Sequence, residues 1–254
     1  MKLIVSALVS VLAMLVAVTV AIGDEAPGKP IRHLVFTVHV GTDTKQDLTN
    51  YYGHMTSGKN STAANGTITV DVIGLAADNA LIVRVSENSD TRKAAPATVE
   101  VLADGRVAVD PKSTGALNEE EQALVGLLAR SLVADHELTP GNFWHVTTNG
   151  KGGNDDAVYR VTSLGGEGQV NLDIERQITV NGAQPMDITI TGKMLYDYQR
   201  SVPLSAALNQ HVVIKTVEAQ NTSDLSFEYN LSQDSMASAV SAPTAAPAAM
   251  PSGS

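Results

Sequence analysis

The chain of 254 residues contains no cysteine. Disulfides, thiolate zinc sites, iron–sulfur clusters and cysteine nucleophiles are all excluded at once. Aromatic residues make up only 4%, with a single Trp and three Phe. The stacked platforms on which sugar-binding clefts depend are therefore in thin supply. Basic residues are scarce too: Lys+Arg number 17 against 27 Asp+Glu, a formal net charge of −10. That balance argues against a nucleic-acid backbone as partner.

Catalytic and metal-binding patterns are missing as well. There is no Gly-x-Ser-x-Gly elbow and no Ser-x-x-Lys. Ser57 and Ser163 lie near glycines without a flanking strand-to-helix switch. The six histidines include no His-x-His or His-x3-His pair. His33 and His39 share a strand face, but that spacing separates them by roughly 20 Å, too far for one ion. Asp43, Asp47, Asp155 and Asp156 lack the alternating oxygen ligands of a calcium loop. No catalytic residue, metal or cofactor is expected. Carboxylate pairs assembled in space leave an unrecognised hydrolase as the third-ranked alternative.

What the sequence does contain is directional. Residues 1–23 place Lys2 before an apolar run from Leu3 to Ile22, closed by Ala21 and Gly23 and followed by Asp24-Glu25. Small residues before an acidic start point to a cleaved signal peptide, with an uncleaved membrane anchor as the alternative. The chain is expected to be exported to a periplasmic, cell-surface or extracellular location, with membrane contact only through that segment. Residues 24–30, with Pro27 and Pro30, read as an extended linker. Residues 235–254 are almost all Ala, Ser and Pro, with Pro243, Pro247 and Pro251 breaking any helix, and read as a disordered tail.

Residues 31–234 read as one β-rich domain. Leu34, Phe36, Val38 and Val40 alternate with polar neighbours, as do Ile68, Val70 and Val72 and then Leu81, Val83 and Val85. Asp104-Gly105 and Asn181-Gly182 are hairpin signals; Asn149-Gly150 and Gly165-Gly166 mark further turns. Short connections make sequential antiparallel neighbours, a meander. The polar stretch 41–66 reads as a long loop. It contains glycosylation sequons at Asn60 and Asn65, with others at Asn221 and Asn230. One segment changes period. Leu124, Leu127, Leu128 and Leu132 form a helical stripe, with Asn118 before Glu119, Glu120 and Glu121 as cap and first turn. The spacing predicts a helix over about 118–133, laid on the sheet with Glu120 and Arg130 in solvent. The glutamates belong to that helix start, and the glycine pairs near 152 and 165 are turns without a helix to cradle phosphate.

After the helix, Pro140-Gly141-Asn142-Phe143-Trp144-His145-Val146 turns into a strand bearing the only Trp. This resembles the Pro…Gly-Asp-x-Trp element of several uncharacterised bacterial secreted β-rich families, with Asn142 where Asp is common. The order of elements is similar to that of the lipoprotein-carrier-like half-barrels. There an antiparallel sheet curls around an apolar cleft and helices cover it. A single helix and the lack of an anchoring cysteine are departures from that pattern. The resemblance implies a mainly β fold, an antiparallel meander forming a curved sheet, half-barrel or barrel with one covering helix. It also implies an apolar or amphiphilic ligand, a lipid for instance, or an envelope protein partner. Leu124, Leu127, Leu128 and Trp144 are the candidate ligand-binding residues. The alternative is a structural or surface protein with a filled core, in which Trp144 is a core aromatic.

Overall fold

The computed structural model describes residues 30–49, 55–76, 80–90, 95–109, 113, 115–129, 132–150, 152–182, 184–215 and 219–236. The expected signal segment, most of the linker, residues 237–254 of the expected tail, the turn at Ala77 to Asn79 and Arg130 lie outside these.

Eleven strands and one helix follow in the order β1 (Arg32–Thr49), β2 (Met55–Leu75), β3 (Leu81–Ser89), β4 (Ala97–Val101), β5 (Val107–Val109), α1 (Glu119–Gly126), β6 (Phe143–Gly150), β7 (Gly153–Leu164), β8 (Gln169–Val180), β9 (Met186–Asp197), β10 (Val202–Lys215) and β11 (Ala219–Met236). All eleven belong to one antiparallel sheet of order β5-β4-β3-β2-β1-β11-β10-β9-β8-β7-β6. Two meanders are thus joined where the first and last strands pair, Val38 opposite Tyr229 and Thr42 opposite Leu225. The outer strands β5 and β6 do not pair with each other, so the sheet is an open, curved half-barrel. The segment carrying α1 links these two edges.

Alternation decides the faces. Leu34, Phe36 and Val38 of β1, Ile68, Val70 and Val72 of β2, and Val83 and Val85 of β3 are buried on the concave face. So are Val170, Leu172 and Ile174 of β8, and Leu225, Phe227 and Tyr229 of β11. Their neighbours His33, Thr37, His39 and Asp71 occupy the outer face, where polar pairs bridge the strands: His33 Nδ1 lies 2.7 Å from Asp71 Oδ1. The expected hairpins at Asp104-Gly105 and Asn181-Gly182 form, with φ of +83° at Gly105 and +155° at Gly182.

Two expectations are corrected. Residues 41–66 are not a long loop: β1 and β2 continue as a ladder from Thr42 opposite Thr62 to Thr49 opposite Met55. Thr, Ser and Asn on both faces hid it, because hydrophobic alternation stops where the strands outrun the core. The helix is also shorter than 118–133. It ends at Gly126, and the chain continues in tight turns, Leu127 N to Leu124 O at 3.0 Å and Leu132 N to Ala129 O at 3.1 Å. Leu124, Val125, Leu127, Leu128 and Ala129 are all buried. A regular helix presents one stripe; here strands lie on more than one side of the segment, and turning keeps Leu127, Leu128, Leu132 and Val133 all covered.

Candidate functional site on the concave face

The start of α1 is fixed by side chains. Asn118 Oδ1 accepts from Glu121 N at 2.8 Å, and Glu121 Oε2 accepts from Asn118 N at 2.9 Å, a complete capping box. Asn118 Nδ2 also donates to Glu87 Oε2 of β3 at 2.6 Å. The Tyr229 hydroxyl of β11 donates to the Glu120 carbonyl at 2.8 Å. One short helix is therefore tied to strands on two sides of the half-barrel. Burial pushes the Glu119 carboxyl above the ordinary glutamate range, and its Oε2 has no hydrogen-bond partner.

The four expected ligand-binding residues come together in one core, their exposure running from 0% at Leu124 to 8% at Trp144. The segment after α1 covers the Trp: the His136 ring stacks on Trp144 at 4.3 Å between centroids, and Tyr159 of β7 lies on it at 5.8 Å. Burial lowers the His136 pKa, against the opposing charge of Asp135. Trp144 Nε1 is buried without a hydrogen-bond partner.

Sequence reasoning missed the polar groups on this face. Arg176 follows Val170, Leu172 and Ile174 in the inward register of β8, and Asp155 occupies the inward register of β7. Arg176 Nε and Nη2 donate to the two Asp155 oxygens at 2.8 and 2.5 Å. Gln210, in the inward register of β10, is buried between Leu208 and Val212. The readable signal was a polar residue interrupting an apolar alternation, which costs free energy unless partnered.

Space lies elsewhere. Two grooves, of about 560 and about 390 Å³, are lined chiefly by outer-face side chains, among them Asp173, Lys193 and Glu228 in the first and Asp43, His211 and Asp224 in the second. Neither touches Leu124, Leu127, Leu128 or Trp144. Among the described residues no group of His, Asp and Glu could hold a metal ion.

No family model and no curated protein matches the chain. A solved structure of lipovitellin, from work on its lipid–protein interactions, is similar at a TM-score of 0.41 and 8% identity, over 84% of this chain. The chain spans 26% of that structure, and a likeness of this degree assigns neither family nor function.

Proposed function

We propose that this is an exported binding protein, acting by binding and not by catalysis, whose half-barrel takes an apolar or amphiphilic ligand such as a lipid on its concave face. One observation carries the reading. The sheet leaves its edges β5 and β6 unpaired, and the segment between them places Leu124, Leu127 and Leu128 on the apolar concavity. A short helix supported by a few polar ties is a removable plug, because eight residues of helix have little stability of their own. Displacing it exposes an apolar trough with Trp144 at one side and the Arg176–Asp155 pair among the strands.

A second reading, a structural protein with a solid core, is favoured by the tight burial of those same leucines. Native mass spectrometry of the protein purified from its own host separates the two. The binding reading expects a co-purified apolar molecule of defined mass, lost on denaturation. A bare chain that takes up no added lipid contradicts it.

A further inference from the structure

Six large hydrophobic side chains are exposed among the described residues: Ile31, Leu75, Phe143, Leu164, Tyr198 and Met236, from 41% at Tyr198 to 75% at Met236. Ile31 precedes β1, Leu75 ends β2, Phe143 opens β6, Leu164 ends β7, Tyr198 follows β9 and Met236 ends β11. In an antiparallel sheet of this order, all six positions fall at the same end of the strands. Among the described residues, the opposite end of the strands contributes none.

The register places these tips on a common rim. The row through Val38 in mid-β1 passes Tyr229, Ala206, Met194 and Leu172 to Val161, close to the tip of β7. The row through Arg32 at the tip of β1 runs the other way, through Val72, Val83 and Val99, to Val109, the far end of β5. From β6 to β2 the stagger accumulates in one direction, as it does when the strands of a barrel-like sheet tilt by about 35–45° to the axis. The tips of β2 to β5, at Leu75, Leu81, Val101 and Val107, share one row.

We propose that this rim docks on the surface of a lipid bilayer. The apolar residues are spread over strand ends from β6 to β2, along much of the curved edge; a spread of that kind suits an extended apolar layer better than one compact protein partner. The chain enters the described structure at this rim through Pro30 and Ile31, shortly after the apolar run from Leu3 to Ile22. This rim is therefore the end of the sheet nearest that run along the chain. Most charges on this rim are paired: Arg32 and Arg200 both bond Asp234, at 2.9 and 3.2 Å, Arg200 Nε bonds Asp197 at 2.7 Å and Arg106 bonds Asp104 at 2.6 Å, while Glu167 in the β7–β8 turn is exposed. Such a rim suits the neutral interfacial layer and gains nothing from anionic lipid. The inference stands whether or not the concave face takes a ligand.

The absence of cysteine allows a direct test. Leu164→Cys, Tyr198→Cys and, at the opposite end, Thr179→Cys are each made in the full chain and labelled with an environment-sensitive dye. Each variant is confirmed to melt as wild type and is mixed with phosphatidylcholine vesicles, with and without phosphatidylserine. The labels at 164 and 198 should shift to the blue and lose emission to a bilayer-embedded quencher, equally in both lipids, while the label at 179 stays in water. Rim labels that remain in water overturn the proposal. So does a response that needs phosphatidylserine, one shared by all three labels, or one that follows protein concentration without lipid, the mark of a second copy.

Discussion

Asn118 performs two tasks with one side chain: its Oδ1 caps α1 by accepting from Glu121 N, and its Nδ2 satisfies Glu87 inside the half-barrel. Its backbone N–H completes the box with Glu121. The Asn118→Ala variant should lose about 1–3 kcal/mol, since cap loss alone costs about 0.5–2 kcal/mol and a buried carboxylate loses its donor. Urea unfolding measures it, and Asn118→Ser should recover the cap part only. A second residue-scale effect concerns acid. The Arg32 guanidinium holds the Asp234 carboxyl below the usual aspartate range. Burial pushes Asp197 up, but backbone and side-chain hydrogen bonds from Arg200 more than reverse this. Groups whose folded pKa is depressed stabilise above their unfolded value, about 3.9, and that contribution fades as pH falls below it toward the folded value. The melting temperature should therefore hold steady down to that range and drop beneath it. Arg32→Ala should flatten the drop and remove about 1.5–3 kcal/mol at neutral pH.

At the scale of elements, α1 and the turns after it decide how the interior behaves. Truncating Leu124, which has no exposed surface, to Ala should cost about 2–5 kcal/mol if it is packed as tightly as it is covered. Tyr229→Phe deletes the bond to the Glu120 carbonyl at a cost of about 0.5–1.5 kcal/mol. Because that bond must break for the plug to leave, the same variant should bind an apolar probe more tightly, which a fluorescence titration reads. The elements also show how far sequence patterning reaches. The cap at Asn118 and the glycine turns were legible because each rests on local spacing. The leucine spacing, in contrast, overstated the helix, since Leu127, Leu128 and Leu132 lie in turns beyond Gly126. The β1–β2 extension was not, since Thr and Asn on both faces carry no alternation to read. Arg176 and Asp155 escaped for another reason: their partnership crosses between strands, and only register brings them within reach.

For the whole molecule, the pairing of β1 with β11 is the feature that no local signal announces. It converts two meanders into one sheet, brings the described chain ends to one rim, and leaves β5 and β6 as edges bridged by the segment carrying α1. Unpaired edges normally invite association. Here the bridging segment keeps the concave side covered, and the proposed binding requires it to move aside for the ligand. Trp144 tests this most directly, being the only Trp in the chain and lying within the concave core. A fatty acid carrying a nitroxide on its acyl chain is titrated into the protein while Trp144 emission is followed. The account predicts saturable quenching that an unlabelled fatty acid reverses, and tighter binding in Leu128→Ala, whose plug is weakened. Emission unchanged at saturating lipid, in wild type and Leu128→Ala alike, would contradict it.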